Sequence, residues 1–285
     1  MSLAKFLTPT LHSVPSPREA LQCFSAVVVT GGSSGIGKSF IELVQSLRPG
    51  LPICNLSRSE PDIIKAGKKL NDLRCDLSRA GDVERAAAAV AEWLDREAPA
   101  GSVLLINNSG FGTYGRFPEP NLGQALEMLD VNIRGLVQLT GLLLPRLRAQ
   151  GGAIINLGST AAFQPTAYMA TYGASKAFVL HWSLALNEEL RGTGVRTLAV
   201  CPGPTATQFF RRAGLKEGSV ADALSLSSSS VAAAALRALG AGRSLVVPGW
   251  KNKLSSFVAS KLPKPLAARI GAWVLARYRL KQVRR

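Results

Sequence analysis

The feature that most constrains the fold is a series of short, unbroken apolar runs that alternate with helix-period segments. Ser25–Thr30 ("SAVVVT") is apolar at consecutive positions, not at every second one. That pattern marks a strand buried on both faces. Helical spacing follows, with Ile36, Phe40, Leu43, Val44 and Leu47 at i, i+4, i+7, i+8 and i+11. Further strands are expected at Ile53–Leu56, Leu73–Cys75, Val103–Ile106, Ala153–Leu157, Val195–Cys201 and Ser244–Val247. Helices are expected at Asp82–Leu94, Gln124–Leu147 and around Tyr172. Strand–helix alternation with doubly buried strands implies a parallel sheet covered on two sides. Right-handed crossovers make it a doubly wound α/β fold, here a single domain of about seven strands.

Composition agrees. Of 285 residues, 47% are apolar and 18% charged, enough for a sizeable core and unlike a disordered chain. No apolar run approaches the twenty or so residues of a helical membrane span. Met1–Gln22 has no apolar block and carries Pro15, Pro17, Arg18 and Glu19. It does not read as a secretory leader, so a cytoplasmic protein is expected. Cys23, Cys54, Cys75 and Cys201 lie in or beside apolar runs without C-x-x-C spacing, which suggests buried, reduced thiols. With only His12 and His181 besides, no metal site is expected.

The net charge of +16 is concentrated at one end. Ala223–Arg285 holds twelve Lys/Arg and no Asp or Glu, leaving 22 basic and 18 acidic residues in the first 222. Three parts result: an N-terminal extension over 1–22, the sheet domain over 23–250, and a basic, helical C-terminal extension over 251–285. Ser225–Ser230 ("SLSSSS") reads as a mobile loop.

Between the first strand and its helix stands "TGGSSGIG", Thr30–Gly37. A nucleotide pyrophosphate needs close backbone approach, free N–H groups and the positive end of a helix. Gly31, Gly35 and Gly37 permit the approach; Ser33, Ser34 and Ile36 complete the loop. At the end of the second strand, "NLSRS" offers Ser57 and Arg58 and no acid. An acid there would accept from both ribose hydroxyls of NAD. Arg58, with Ser33 or Ser57, suits a 2′-phosphate instead. NADP(H) is therefore preferred over NAD(H). The bland alternative is a solvated surface arginine.

"TYGASKAF" places Tyr172 and Lys176 four apart, on one helix face with only small residues between. On its own this is an unremarkable surface pair. It has company: Ser159 after the fifth strand, Asn132 in the long helix, "NNSG" at Asn107–Gly110 and "CPGPTAT" at Cys201–Thr207. All fall at or near the carboxyl ends of expected strands, where an open α/β sheet builds its site.

This ordered set resembles the short-chain dehydrogenase/reductase family in its single-domain, Rossmann-like form. The likeness runs from about Ser25 to Val247. It comprises TGxxxGxG at Thr30–Gly37, Asp76-Leu77, NNxG at Asn107–Gly110, Asn132, Ser159 with Tyr172-x-x-x-Lys176, and Pro202-Gly203. Ser109 departs from the usual alanine. The resemblance implies hydride transfer between a nicotinamide and a carbonyl or secondary alcohol. Tyr172 would be the general acid/base and Ser159 the carbonyl stabiliser. Lys176 would lower the phenol's pKa and hold the nicotinamide ribose, and Asn132 would seat a relay water. It also implies that Asp76 accepts from the adenine amino group beside Leu77, and that Asn107, Ser109 and Gly110 line the adenosine side. Pro202, Gly203, Thr205 and Thr207 would flank the nicotinamide. A homodimer or homotetramer is implied. The alternative is a non-catalytic dinucleotide sensor or scaffold of the same shape.

Phe111, Gln164, Thr166, Tyr168, Phe209, Phe210 and Leu215 suggest an apolar pocket and a hydrophobic ketone or acyl substrate. His181, on the apolar stretch "VLHWSLAL", reads as packed or interfacial. The tail is expected to be helical from Pro265, with Leu266, Ile270, Trp273 and Leu280 near one face and Arg277 interrupting it. It could cap the body or a partner subunit, or rest on an anionic membrane surface as a peripheral contact. Specific nucleic-acid binding is not expected, since basic charge alone gives only unspecific phosphate attraction.

Overall fold

The computed structural model describes residues 14–62, 69–118, 121–205, 209, 213 and 225–276. Seven parallel strands form one sheet in the order β3-β2-β1-β4-β5-β6-β7. They are β1 Ala26–Thr30, β2 Ile53–Ser57, β3 Leu70–Arg74, β4 Val103–Asn107, β5 Gly152–Leu157, β6 Val195–Val200 and β7 Leu245–Val246. The unbroken apolar runs are explained by two cores. Val27, Val29, Ile53, Leu104 and Ile106 face one side of the sheet, among the side chains of helices Gly35–Leu47 (α2) and Ser228–Gly240 (α7). Ala26, Val28, Cys54, Leu56 and Leu105 face the other, against Ala80–Glu97 (α3) and Leu136–Gln150 (α5). Each β1 residue thus has a hydrophobic environment whichever way its side chain points.

Strand order reverses beside β1: its neighbours are β2 on one side and β4 on the other. Crossovers leave these two edges in opposite directions, so a crevice opens beyond their carboxyl ends. The remaining helices are Pro17–Leu21 (α1), Leu122–Leu129 (α4), Ala170–Glu189 (α6), Trp250–Lys261 (α8) and Lys264–Ala276 (α9).

Several boundaries differ from the sequence reading. The third strand starts at Leu70, in register with Ile53, rather than at Leu73. As an edge strand it is half-buried, so it lacks the apolar run by which the others were found. The expected Gln124–Leu147 helix is two helices joined by a π-turn over Asp130–Gly135. The serine run is not a mobile loop over its described length. Leu226 bridges Thr205. Ser227 caps α7, accepting from the Ser230 amide at 3.1 Å. The N-terminal extension contributes α1, whose Ala20 and Leu21 are buried in the core. The helix expected from Pro265 is present as α9, Lys264–Ala276, and a further helix, α8, Trp250–Lys261, precedes it. Cys54, Cys75 and Cys201 are buried as expected, whereas Cys23 is exposed. His181 is also exposed rather than packed. No helix among the described residues is long and apolar enough to cross a membrane.

The capped start of α7 makes a prediction. Ser227→Ala should lower unfolding free energy by about 1 kcal/mol, the usual worth of a lost N-cap. A melting point shifted down by about 2–4 °C would show it; an unchanged one would mean a neighbouring serine replaces the cap.

Candidate active site

The glycine loop is held by side chains behind it. Gly31 and Gly35 have φ of +69° and +56°, the left-handed region that favours glycine. A Cβ at Gly37 would lie 2.3 Å from the Gly31 carbonyl oxygen. Asn55, fully buried on β2, accepts from the Gly32 amide at 2.9 Å through Oδ1. Just past the end of β4, the Asn108 side-chain amide donates to the carbonyls of Thr30 and Gly31 at 3.0 and 3.2 Å. Ser34, the N-cap of α2, makes no capping side-chain bond, so the first turn of α2 has no intrahelical cap.

In front of this loop runs a cavity of about 990 Å³. Gly31, Ser33, Ser34, Gly35 and Ile36 form one end; Ser57, Arg58, Asp76 and Leu77 line its flank. Ser109, Gly110, Ser159, Tyr172 and Lys176 lie on the wall, with Pro202, Gly203 and Thr205 opposite the loop in sequence. Three expected contacts stand behind the wall instead. Thr30 is buried and its hydroxyl accepts from the amides of Asn108 and Ser109, both at 3.0 Å. Gly37 packs on Gly31. Asn107 donates to Thr140 Oγ1 at 2.9 Å and Asn156 Oδ1 at 2.8 Å, tying β4 to β5 and α5. These residues shape the crevice; Asn108, which sequence reasoning passed over, lines it. Thr207 lies outside the described residues.

The catalytic candidates converge at the far end. Tyr172 and Lys176 project from α6, and the lysine nitrogen is 5.9 Å from the tyrosine ring centre. Lys176 Nζ donates to the Leu157 carbonyl at 2.9 Å. Ser159 accepts from the Ala161 amide at 3.1 Å, capping a short 3-10 turn, and also hydrogen-bonds the Tyr172 phenol. Asn132 sits in the π-turn, a local widening common at functional sites. Its Oδ1 accepts from the Phe111 amide at 3.1 Å, and its Nδ2 donates to the Phe111 carbonyl and Ser175 Oγ, both at 3.0 Å. A Cβ built on Gly110 would fall 3.0 Å from Asn132 Oδ1 and 3.1 Å from Lys176 Nζ.

Burial dominates the electrostatics. It pushes the Tyr172 phenol up to about 12, against the opposing bond from Ser159. Burial likewise pulls the Lys176 amine down to about 8. The expectation that Lys176 lowers the phenol is therefore not the net effect in the protein alone: desolvation wins. Asp76 goes the other way. Burial would raise it, yet the Ser78 amide and hydroxyl, at 3.0 and 2.8 Å, and the nearby Arg58 and Arg79 hold it below the usual carboxylate value.

Arg58 reaches Glu127 at 3.5 Å and is largely exposed. Beside it a depression of about 510 Å³ also carries Arg74, Arg79 and Arg85. Ser57 and Arg74 are register partners on β2 and β3. Sequence reading singled out Arg58 alone; the β2–β3 register that sets Arg74 beside Ser57 comes from the structure.

Of the expected pocket residues, Phe111, Gln164, Thr166 and Phe209 line the cavity. Tyr168 does not; it pairs with Tyr114, ring centres 6.0 Å apart. Phe210 and Leu215 lie outside the described residues. The missed wall comes from the tail: Asn252, Ser256, Ala259, Leu262 and Leu275 among others. Tyr114 donates to the Leu275 carbonyl at 2.6 Å, fastening α9 over the cleft.

Comparison with known proteins agrees with this geometry. The short chain dehydrogenase family model matches residues 25–218, more than half of the chain. Serine 3-dehydrogenase of Agrobacterium fabrum is 31% identical over 201 residues, covering 68% of this chain and 78% of that protein. The NADP-dependent 3-hydroxy acid dehydrogenase of Escherichia coli is 33% identical over 187 residues, covering 62% and 71%. A short-chain dehydrogenase from Sphingobium yanoikuyae, solved in complex with NADPH, superposes with a TM-score of 0.69 at 28% identity, covering 90% of this chain and 97% of that one. The chain belongs to the short-chain dehydrogenase family, oxidoreductases of alcohol and carbonyl groups with a Rossmann-like fold.

The lowered amine gives a pH prediction. Between about 8 and its ordinary value of 10.5, Lys176 binds more protons unfolded than folded. Stability due to this group thus rises with pH across that window. The buried thiols of Cys54, Cys75 and Cys201, raised to about 12, 11 and 12, oppose it at the upper end. A difference measurement isolates the lysine: wild-type stability relative to Lys176→Met should climb from pH 8 to 10 in urea titrations. A flat difference would show the amine to be hydrated.

Proposed function

We propose that the chain is an NADP(H)-dependent reductase of hydrophobic carbonyl compounds, also able to run the reverse oxidation of the alcohol. The observation that carries this is the placement of Tyr172, bonded to Ser159 and flanked by Lys176, on the wall of the cavity that begins at the glycine loop. A bound nicotinamide dinucleotide supplies the hydride. The loop residues 31–36 and the start of α2 suit its pyrophosphate. Asp76 suits the adenine amino group, and Lys176 the nicotinamide ribose.

The chain's own residues handle the proton. Ser159 donates to the carbonyl oxygen and orients it. A phenol near 12 retains its proton at neutral pH, so Tyr172 enters the reduction as an acid. Its O–H bond breaks as charge builds on the substrate oxygen, and the proton ends there as the alcohol O–H. Lys176, largely protonated at pH 7 with a value near 8, then stabilises the phenolate. A water between it and Asn132 returns the proton. A scaffold that only senses dinucleotide has no use for this set.

Cofactor preference rests on charge. No acid closes the end of β2, and Arg58, Arg74 and Arg79 surround the depression next to Asp76. That surface favours a 2′-phosphate, and the NADPH-bound and NADP-dependent relatives agree. The substrate end is lined by Phe111, Met169, Phe209, Leu262 and Leu275, which supports an apolar ketone or acyl compound. Two polar atoms, Gln164 Oε1 and Ser256 Oγ, are buried without a hydrogen-bond partner among the described residues. They suit a second polar group on the substrate, away from the carbonyl. Exposed Leu126, Leu129, Leu142 and Phe178 on α4, α5 and α6 support pairing of subunits through those helices.

NADPH consumption across ketones, aldehydes and 3-oxoacyl thioesters tests the reading, and no turnover on any of them would overturn it. Tyr172→Phe should cut turnover on the best substrate by roughly 10²-fold or more while leaving NADPH affinity nearly intact. Arg58→Ala should raise the KM for NADPH roughly tenfold and leave that for NADH unchanged, the expected loss for one charge-assisted phosphate contact. A wild type indifferent between the two cofactors would remove the preference.

A further inference from the structure

The two C-terminal helices each carry two faces. On α8, Asn252, Ser256 and Ala259 recur at i, i+4 and i+7 and line the cavity. On the opposite side, Trp250, Leu254, Phe257 and Val258 recur at i, i+4, i+7 and i+8. They are exposed at 73%, 55%, 60% and 50%. On α9, Ala267 is buried inward, while Leu266 and Ile270 are each 45% exposed. Large apolar residues gathered on adjoining surface helices mark an interaction site rather than ordinary surface.

The charges say what covers it. Lys251, Lys253, Lys261, Lys264 and Arg269 interleave with these residues, and no acidic residue occurs anywhere from Ala223 onward. Lys251 lies 5.8 Å from the Trp250 ring centre and Lys261 lies 5.6 Å from that of Phe257. A second copy docked here about a two-fold axis would set lysines against lysines with no acid to answer them. An apolar face studded with cations is complementary to a surface that is both apolar and anionic. We infer that α8 and α9 dock on membranes containing anionic lipid, with the aromatic and aliphatic side chains in the acyl boundary and the lysines at the headgroups. The cavity opens on the same side: Ile270 and Val274 belong both to its lining and to the exposed face. Docking therefore presents the cavity mouth to the bilayer. It stands independently of the reaction proposed above, because it rests on the outer faces of these helices.

Sedimentation of the full-length protein with vesicles tests it. Vesicles of phosphatidylcholine containing about 30 mol% phosphatidylglycerol should bind roughly tenfold more tightly than phosphatidylcholine alone, and added salt should weaken the binding. The pair Leu254→Glu/Phe257→Glu, and separately Lys251→Glu/Lys253→Glu, should each reduce binding by at least roughly tenfold with an unchanged melting point. Neither pair touches the cavity, so NADPH binding should be unaffected in both. Wild type that stays in the supernatant, or variants that pellet equally, would overturn the inference. So would light scattering showing that the Glu variants split a dimer into monomers, which would assign the face to a second copy.

Discussion

Where β1 and β4 end side by side, one hydroxyl decides the shape of everything in front of it. Thr30 Oγ1 accepts from two successive amides, those of Asn108 and Ser109. This bond holds the β4 exit against the start of the glycine loop while the two chains turn to opposite sides of the sheet. The Asn108 amide group returns the tie by donating to Thr30 and Gly31. A crevice at a strand-order reversal is a consequence of topology, but its depth is set by how close the two exits stay. Gly31 shows how close: a Cβ there would fall 2.8 Å from Ser109 Oγ.

A second network holds the elements that carry the candidate catalytic residues at the other end. Asn107, Asn156 and Ser183 form a buried chain across β4, β5 and α6, with Asn156 Nδ2 donating to Ser183 Oγ at 2.9 Å. Polar groups are costly in a core unless paired, and here each bond joins two elements that carry the site. α6 bears Tyr172 and Lys176, and β5 leads to Ser159. Asn132 extends the same logic to the π-turn, since both ends of its amide are held by Phe111 and Ser175. Ser175 in turn donates to the Tyr172 carbonyl at 2.7 Å. The phenol's position is thus fixed through backbone on one side and Ser159 on the other, before any substrate arrives.

The fold was legible because its signal is redundant. Doubly buried strands such as "AVVVT" and "VLLIN" can hardly be anything else, and the order of glycine, asparagine, serine, tyrosine and lysine motifs located the crevice. What escaped notice lacked that redundancy. β3 is an edge strand, and its "LNDLR" has two leucines three apart, neither an unbroken apolar run nor an alternation. The start of α7 was hidden because serines that cap a helix look the same in sequence as serines in a linker, and only the periodic burial of Val231, Ala235 and Leu239 separates them. Thr30, Gly37 and Asn107 were assigned to the cofactor because a motif groups residues that touch a ligand with residues that hold those residues. The sequence alone does not divide the two; the direction of each side chain does.

The tail shows a different limit. A helix buried on one apolar face gives a clear periodic stripe, and one whose apolar stripe is crossed by lysines gives a blurred one. α8 has an inner stripe of small and polar residues and an outer stripe of large apolar ones with Lys251, Lys253 and Lys261 among them, so the extension was expected to be helical but the bounds of α8 were not legible. The inner stripe is small for a reason. Gly203, in the turn after β6, faces Asn252 so closely that a Cβ would lie 2.3 Å from its side-chain oxygen. On α9 a Cβ at Gly271 would come within 3.4 Å of the Pro165 carbonyl. Close packing of α8 on the Pro202–Gly203 turn therefore favours small or short polar residues at the positions of α8 that face that turn. The large residues are left for the outside, where lysines keep them compatible with water. The seating of α8 against the cleft thus depends on the absence of a side chain at Gly203.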